Sequence, residues 1–248
     1  MMKSAAIVLA ASIFATGCGQ SSTPRKETAS AQNLASDTIR LPPPDRKDGM
    51  SVEQALATRR SVREYAPGPL TLAEVGQLLW AGYGITQPLP GAPEWLRGGF
   101  KTAPSAGGLY PLELYVVASQ VENLLQGVYR YLPEEHALLR VVDGDRRARL
   151  HAASGEQAAV GNAPASIVYS AVFSRTTGKY GKRGRERYVC MDAGHSAENV
   201  YLQCASLKLG TVAIGALIDS DVKAATGMKA EEEPLYIMPV GRLMKEKK

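Results

Sequence analysis

The sequence predicts an α+β fold built as one main domain. Helix-like and strand-like segments follow one another without the regular βαβ rhythm of a doubly wound parallel sheet. No internal repeat and no second linker divides the chain after residue 49. Hydrophobic residues make up 45% and charged residues 21% of the 248 residues, which is enough to bury a core.

Two capping boxes predict the starts of two helices. Ser51 is followed three residues later by Gln54, and Thr71 by Glu74, so each pair can satisfy free backbone amides at a helix start. The second helix has an apolar stripe at helical spacing, formed by Leu72, Val75, Leu78 and Leu79. The glycines at which this helix could end are Gly82 and Gly84.

The middle of the chain predicts strands. The run Leu112–Ala118 is a buried strand, and Ile167–Phe173 is another strand that is apolar along most of its length. Between them, 128–132 and 138–142 flank the turn Pro133–His136 and predict a hairpin.

The last third predicts a long helix between shorter elements. The helix covers Val189–Leu209 and is closed by Gly210 as a C′ glycine. Strands are predicted at Thr211–Leu217 and Leu235–Val240, with a short helix between them that Asp219 could cap. The long helix contains Cys190 and Cys204, which lie about 21 Å apart along its axis and are too far apart for a disulfide. We expect both to be buried thiols.

The first residues predict export. Lys3 precedes an apolar run, Ala5–Ala15, that is too short to span a bilayer and is typical of a signal-peptide core. The run leads into Ala-Thr-Gly-Cys at 15–18, which resembles a bacterial lipobox. We therefore expect residues 1–17 to be a signal peptide and Cys18 to be lipidated. Ordinary secretion, with cleavage near the same point, is the alternative.

Residues 18–48 are predicted to be a flexible tether, and the folded domain to occupy 49–248. The tether is rich in Ser, Thr, Ala, Gln and Pro, a composition that cannot bury enough surface to fold. Gly19 follows Cys18, where an aspartate would favour the inner membrane. We expect a lipoprotein on the periplasmic side of a bacterial membrane, in the outer membrane rather than the inner one.

Two segments predict a binding site for a phosphorylated planar cofactor. Residues 59–63 (Arg-Arg-Ser-Val-Arg) place three guanidinium groups and a hydroxyl together, and guanidinium forks suit a phosphate dianion. Residues 102–111 (TAPSAGGLYP) form a glycine-bearing corner that lets backbone amides approach a flat ring. Flavin mononucleotide (FMN) is the obvious candidate. The alternatives are arginines that offset a helix dipole and an ordinary tight turn.

Seven motifs in order resemble the flavin-dependent nitroreductase superfamily, in particular its SagB/ThcOx-type dehydrogenase branch. They are RRSVREY, LLWAGYGI, KTAPSAGGLYPLELYVV, GVYRYLPEEHAL, KYGKRGRERY, DAGHSAENVYLQCASLKLG and PVGR. The resemblance runs from about Ser51 to Arg242. It implies a central mixed or antiparallel sheet wrapped by helices, in an intertwined homodimer with flavin at the subunit interface.

The resemblance also implies roles for individual residues. The phosphate and ribityl oxygens would be held by Arg59, Arg60, Ser61, Arg63 and Arg242. The loop that packs on the isoalloxazine ring, contributed by the second subunit, would be Pro104, Ser105, Ala106, Gly107 and Gly108. A backbone hydrogen bond to flavin N5 would come from the segment Ala213–Leu217, which contains Gly215 and Ala216.

One pair goes beyond flavin binding. Lys179 and Tyr180 resemble the Lys-Tyr motif of the azoline-oxidising branch, where it is implicated in proton abstraction. A lysine near other positive charges or in a dry pocket can act as a base near neutral pH, and Arg183, Arg185 and Arg187 could supply such charge. The alternative is a solvated basic loop.

The expected function is FMN-dependent transfer of hydride between an organic substrate and flavin, with electrons passed to oxygen, a quinone or another carrier. The substrate is a small molecule or peptide, with an azoline or related heterocycle among the candidates. Oxidation is favoured because reduced nicotinamide is not expected outside the cytoplasm. The alternatives are an NAD(P)H-dependent nitroreductase or flavin reductase, and a non-catalytic flavin-binding surface lipoprotein.

Other classes of partner are not expected. A formal charge of +5 is mild, and no aromatic-interleaved basic stripe or nucleic-acid motif accompanies the basic cluster at 179–187, so nucleic-acid binding is not predicted. His136, His151 and His195 lack the spacing of metal ligands, so no metal site is predicted and we expect structural roles for them. The substrate pocket is expected to be lined by Ile85–Lys101, where Trp95 and Phe100 either stack on a substrate or pack in the core.

Overall fold

A computed structural model describes residues 37–47 and 49–244 and shows an antiparallel sheet between two helical layers. The predicted signal peptide, Cys18 and most of the predicted tether lie outside the described residues. The main sheet has seven strands in the order β1-β6-β5-β4-β7-β9-β8, and all neighbours are antiparallel. Its strands are β1 Thr38–Arg40, β4 Leu112–Ala118, β5 Gly127–Leu132, β6 Ala137–Asp143, β7 Ala165–Ala171, β8 Leu209–Thr211 and β9 Glu233–Arg242. A separate two-stranded sheet is made by β2 Ile85–Pro88 and β3 Gly99–Lys101.

Helices cover both faces of the main sheet, because its central strands bury alternate residues on opposite sides. On β4, Leu114 and Val116 share a core with helices α2 and α6, whereas Tyr115 and Val117 share another with α3, α4 and α7. The helices are α1 Val52–Thr58, α2 Leu72–Tyr83, α3 Arg147–Ala153, α4 Ala158–Asn162, α5 Ser174–Tyr180, α6 Val189–Ser206 and α7 Asp219–Thr226. The predicted α+β fold is confirmed.

Both predicted capping boxes are present. The Ser51 hydroxyl accepts from the Gln54 amide, and Thr71 accepts from Glu74 while the Glu74 carboxylate reaches back. Helix α2 runs through Gly82 and ends at Tyr83. Gly82 is needed for packing, since a Cβ there would come within 3.0 Å of the Tyr169 hydroxyl.

The folded domain begins earlier than Gly49, so the predicted end of the tether is wrong. Residues Thr38–Arg40 pair with β6, and Ile39 is only 2% exposed. Asp45 and Gln77 exchange two hydrogen bonds, through the Asp45 amide and carbonyl. The amino-acid composition of this segment did not predict the strand, because an edge strand needs few apolar residues to pair with its neighbour.

The end of the long helix differs from its prediction. Helix α6 stops at Ser206, and Lys208 takes the left-handed conformation (φ 57°) expected of Gly210. Gly210 instead lies in β8, where a Cβ would come within 2.6 Å of the Val62 side chain. The strand predicted at Thr211–Leu217 ends at Thr211, and only Ile214 continues with an isolated bridge to Ile237.

Three smaller predictions are also corrected. Strand β7 lies two residues earlier than predicted, because Phe173 already has the helical conformation that starts α5. Asp219 is the first residue of α7 and does not cap it; Ile218 occupies the cap position. Cys204 is buried as predicted, but Cys190 is exposed. None of the helices in the described ranges is long and apolar enough to cross a membrane.

Candidate functional site

The glycine corner predicted to meet a flat ring is a tight, closed loop. Ser105 accepts a hydrogen bond from the Tyr110 amide at 2.9 Å, which links the two ends of the loop. At its apex Gly107 and Gly108 have φ of 66° and 71°, a left-handed conformation that favours glycine. The loop therefore projects backbone rather than side chains.

A buried carboxylate on α6 anchors the start of this loop. The Ser105 hydroxyl donates to Asp192 Oδ2 at 2.5 Å, and the Ala106 amide donates to Oδ1 at 3.2 Å. Burial raises the pKa of the Asp192 carboxyl above its ordinary value, although the two hydrogen bonds and His195 favour the ionised form. A cavity of about 240 Å³ lies beside this contact and is lined by Pro104, Ser105, Ala106, Tyr188, Met191, Asp192 and His195.

The predicted catalytic pair lies against the apex of the loop. A Cβ built on Gly107 would come within 2.6 Å of the Tyr180 hydroxyl and 3.1 Å of Lys179 Nζ. Lys179 is exposed, and its ammonium lies 5.3 Å from the centre of the Tyr180 ring. The chain thus brings together a loop and a pair of side chains that are about 70 residues apart in sequence.

The basic residues thought to surround Lys179 only partly do so. Arg185 makes two hydrogen bonds to Glu233 and stacks on Phe173, so its charge is compensated elsewhere. Arg183 and Arg187 are exposed and have no ion pair within the described residues.

Glu113 ties together the two segments that flank the loop. Its carboxylate, on β4, accepts from Arg97 and from Arg175, each at 2.7 Å. Arg97 belongs to the segment between β2 and β3, and Arg175 belongs to α5, which carries Lys179. A buried carboxylate held by two guanidinium groups fixes both segments relative to the central strand.

The segment Ile85–Lys101 lies on the other side of the loop and bounds a cavity of about 600 Å³. Trp95 and Phe100 are 52% and 46% exposed, so neither packs in the core of the protomer. A Cβ on Gly108 would come within 3.3 Å of the Trp95 ring. Burial and the neighbouring Arg97 lower the pKa of Lys101 to about 8, although Glu134 and Glu113 oppose this.

Arg59 and Ser61 meet at Tyr201, in the second half of α6. The Arg59 guanidinium lies 5.2 Å from the Tyr201 ring centre, and its Nε is 3.6 Å from the Glu198 carboxylate. The Ser61 hydroxyl is 3.3 Å from the Tyr201 hydroxyl, which also accepts from the Ala213 amide at 2.7 Å. The segment predicted to bind the phosphate (59–63) and the segment predicted to contact flavin N5 (Ala213–Leu217) are therefore neighbours.

The remaining predicted phosphate ligands differ in their surroundings. Arg60 is exposed and donates to the Ala57 and Arg59 carbonyls at the end of α1. Arg63 is exposed and has no hydrogen bond or ion pair within the described residues. Arg242 makes a two-pronged ion pair with Glu74 and donates to the Pro69 carbonyl. Its guanidinium is thus occupied in the protomer, whereas that of Arg63 is free to take a ligand.

Gly215 and Ala216 are exposed and lie in an irregular segment after the bridge between Ile214 and Ile237. Their backbone amides make no backbone hydrogen bond within the described residues. This leaves them available as donors, in keeping with the predicted contact to a flavin ring.

Comparison with known proteins identifies the family. The model of the family described as "Nitroreductase family" matches residues 56–242. The chain belongs to the nitroreductase family. A Methanocaldococcus jannaschii protein named "Putative nitroreductase MJ1384" is 43% identical over 206 residues, which cover 83% of this chain and 98% of that protein.

Solved structures agree with this family. A crystal structure of a "putative nitroreductase" from Ralstonia eutropha is 33% identical, with a TM-score of 0.71, over 92% of this chain and 97% of that one. The McbBCD microcin synthetase complex of E. coli contains a chain with the same fold, at 21% identity and a TM-score of 0.61, over 92% of this chain and 85% of that one.

Nitroreductases are FMN-dependent, so the predicted cofactor is confirmed at the level of the family, as is a flavin-type oxidoreductase. The residues present fit this cofactor. The half-buried guanidinium group of Arg59, the exposed ones of Arg60 and Arg63, and the Ser61 hydroxyl form a donor set suited to a phosphate. The buried Thr211 hydroxyl, opposite Ser61 in a short bridge, has no hydrogen-bond partner in the described part of the chain. The glycine corner offers bare backbone for a flat ring.

Sequence reasoning missed Asp192 and Tyr201. Each joins a segment that is distant in sequence, 87 residues away for Ser105 and 140 for Ser61. Both lie in the motif DAGHSAENVYLQ, so the motif was visible but the direction of each side chain was not. Because residues nine apart lie on opposite faces of a helix, no common face of α6 marked the pair.

Proposed function

We propose that this nitroreductase is an FMN-dependent oxidoreductase of the SagB/ThcOx-type dehydrogenase branch, which takes a hydride from an organic substrate. The observation that carries the proposal is the approach of Lys179 Nζ and the Tyr180 hydroxyl to Gly107. It supports a proton-handling pair beside the loop that would meet the flavin, which flavin binding alone does not require.

In the proposed reaction, each of these residues has a separate role. FMN, when bound, supplies a two-electron hydride acceptor. Arg59, Ser61 and Arg63 would bind its phosphate and ribityl chain. Lys179 would accept a proton from the substrate at Nζ while the electron pair of a substrate C–H bond leaves as hydride. Tyr180 would hold the amine in place through its ring.

We propose that Pro104–Gly108 of one subunit pack on the flavin held by the other. Asp192 and Tyr201, which anchor the two predicted halves of the site, are nine residues apart on α6, or about 13 Å along its axis. Nitroreductases are typically homodimers. Exposed apolar side chains on α1, at Val52 (63%) and Leu56 (55%), and at Met191 (53%) on α6, provide surface for a subunit interface.

The proposal is tested on the purified protein and two variants. We expect about one FMN per chain, and oxidation of thiazoline or oxazoline model compounds with bleaching of the flavin under anaerobic conditions. Lys179→Ala should retain FMN but bleach about a hundredfold more slowly, the lower end of a general-base effect. Tyr180→Ala, which removes the ring that holds the amine, should also retain FMN and bleach more slowly. Equal bleaching rates in wild type and both variants would remove the proton-handling role.

A second candidate is NAD(P)H-dependent reduction of nitro compounds. It is favoured by the names of the relatives at 43% and 33% identity. Rapid mixing with NADPH distinguishes the two candidates. Fast flavin bleaching by NADPH followed by turnover of a nitroarene would support this second function, whereas slow bleaching supports the dehydrogenase.

We also propose that the chain is a lipoprotein anchored at Cys18 on the periplasmic side, in the outer membrane. The support is the apolar run Ala5–Ala15 followed by Ala-Thr-Gly-Cys. Labelled palmitate should be incorporated by the wild type and not by Cys18→Ala, and membrane fractions should contain only the wild type. A cytoplasmic wild-type protein would contradict this proposal and would also favour the nicotinamide-dependent candidate.

A further inference from the structure

Asp192 is a buried carboxylate without a lysine or arginine as its partner in the described part of the chain. It is 3% exposed, and no lysine or arginine forms an ion pair with it in the described ranges. Its hydrogen-bond donors are the Ser105 hydroxyl and the Ala106 amide, both from the glycine loop. A buried carboxylate is costly unless its oxygens are satisfied, so α6 and the loop are held in one relative position.

This contact controls the whole loop. Ser105 donates to Asp192 and at the same time accepts from the Tyr110 amide, so one hydroxyl connects the helix, the start of the loop and its end. Tyr110 itself has φ 45°, an unfavourable conformation for a residue with a side chain. Its hydroxyl accepts from the Lys101 amide at 3.2 Å, which fixes the ring. The loop is therefore braced at both ends.

The apex between these braces is the part that lies against Lys179 and Tyr180. A change in the tilt of the loop would move Gly107 relative to both side chains. It would also move the backbone that, by the proposed function, lies on the flavin.

We propose that Asp192 is a positioning residue for the redox reaction: through Ser105 it sets the distance and tilt of the Pro104–Gly108 backbone relative to the flavin ring and to Lys179 and Tyr180. The proposal rests on the proposed function, because it requires that this loop meets bound FMN. Asp192 itself transfers no proton or electron, and its effect passes entirely through the loop.

Asp192→Asn tests the proposal with little change in shape. The amide oxygen can still accept from the Ala106 amide, but the amide nitrogen then faces Ser105. Because an amide nitrogen donates and does not accept, the Ser105 hydroxyl loses the acceptor that it has in Asp192. We expect FMN still to bind at one per chain, because the predicted phosphate ligands are untouched.

The matched control is Glu232→Gln. Glu232 is 1% exposed and accepts from the Tyr115 and Ser170 hydroxyls, so it is a second buried carboxylate held by hydroxyl donors. It lies beside Tyr115, in the core on the opposite face of the sheet from Val189 and Ala193 of α6. Both variants should lower the melting temperature, but only Asp192→Asn should affect the flavin.

Two measurements on the holoprotein separate positioning from stability. The first is the visible circular dichroism of bound FMN, which should change in Asp192→Asn and match the wild type in Glu232→Gln. The second is reoxidation of the dithionite-reduced protein by 1,4-benzoquinone, which should slow about tenfold or more in Asp192→Asn, as expected when a reacting group is misplaced. Wild-type values of both in folded Asp192→Asn overturn the proposal.

Ser105→Ala provides a second variant should Asp192→Asn fail to fold. It removes the same link but leaves the carboxylate free to accept from Ala106, and it should change the dichroism and the reoxidation rate in the same direction. Wild-type behaviour of Ser105→Ala overturns the proposal. Failure of the proposed function is distinguishable, because it would appear as equal bleaching rates of wild type and Lys179→Ala with the thiazoline or oxazoline compounds, and it would leave the dichroism and reoxidation expected for Asp192→Asn unchanged.

Discussion

Arg59 and Ser61 contact the same tyrosine from two directions, and this shared contact gives the phosphate site a testable arrangement. Tyr201 supports the Arg59 guanidinium with its ring and Ser61 with its hydroxyl. Among the described residues, Arg59 pairs with the carboxylate of Glu198, which is 3.6 Å from Nε in a half-exposed pair that contributes little. The guanidinium can therefore turn to a phosphate at small cost.

Arg59→Ala should weaken FMN binding about tenfold to a hundredfold. A charge-assisted hydrogen bond is worth about 1.5–3 kcal/mol, which corresponds to that range in affinity. Titration of the apoprotein with FMN, followed by quenching of flavin fluorescence, measures the change. Arg147→Ala is the control, because Arg147 pairs with Asp145 at the start of α3, whose core lies on the other face of the sheet. Equal weakening in both variants would indicate a general charge effect.

Gly107→Ala should change the geometry of the site by more than the strain of a left-handed alanine alone would. The new Cβ would lie 2.6 Å from the Tyr180 hydroxyl, so either the loop or Tyr180 must move. Gly155→Ala is a matched control, since Gly155 has φ 64° and no atom within 4 Å of a Cβ. Both should lose about 1–2 kcal/mol of unfolding free energy from left-handed strain.

Only Gly107→Ala should also slow flavin reoxidation by 1,4-benzoquinone. Urea unfolding and stopped-flow absorbance give the two quantities. Unchanged reoxidation in Gly107→Ala would mean that the apex does not meet the flavin.

At the level of single residues, the sequence predicted those whose chemistry is visible in their identity. Clustered arginines and paired glycines are such residues, and their roles toward the cofactor stay predictions. Asp192 and Tyr201 could not be found in this way, because a carboxylate or a phenol on a long helix has no direction until the helix is packed.

Among the elements, the two helix starts were predictable because a capping box is a local pattern. Strand β4 was also found with its bounds, since all seven of its residues are buried and apolar character marks it clearly. Strands β1 and β8 were not, because each has three residues and is defined by its partner strand. Helix α6 ended early for a similar reason: Gly210 is required by contact with Val62, not by the helix.

Glu74 of the α2 capping box also forms an ion pair with Arg242 of β9. The stability that this ion pair contributes is therefore sensitive to pH. Burial disfavours ionisation of the Glu74 carboxyl, but hydrogen bonds from Arg242 and Thr71 outweigh it and hold its pKa below 4.5. A carboxyl with a lowered pKa in the folded state stabilises the protein above its unfolded pKa, and this contribution is lost as the pH falls through the folded pKa.

Glu74→Gln should therefore lower the unfolding free energy by about 1–3 kcal/mol at pH 7, the range for a hydrogen bond to a charged group. The difference from wild type should shrink as the pH is lowered below 4.5. Urea unfolding at several pH values checks this. Glu122→Gln, at an exposed residue without an ion pair in the described chain, should change stability by less than about 0.5 kcal/mol. A difference for Glu74→Gln that persists unchanged in acid would refute the ion-pair explanation.

At the scale of the whole molecule, the fold was predicted from its mixture of elements and its motifs, whereas the homodimer was expected only from the resemblance to a family. Arg59 and Ser61, which are predicted to bind the phosphate, contact the second half of α6. The glycine loop contacts its first half. If the loop of one subunit covers the flavin of the other, each site is made of two chains.

A mixed dimer distinguishes a shared site from one within a single chain. One subunit carries Arg59→Ala with Ser61→Ala, the other carries Gly107→Val, and two different affinity tags allow the mixed dimer to be purified. In a shared arrangement, one site has both defects and the other has none, so one FMN is bound and reoxidised by 1,4-benzoquinone at the wild-type rate. In a single-chain arrangement, the remaining FMN sits beneath the defective loop and is reoxidised slowly. Because one flavin is bound in either case, the rate alone decides, and the Gly107→Val homodimer gives the slow reference.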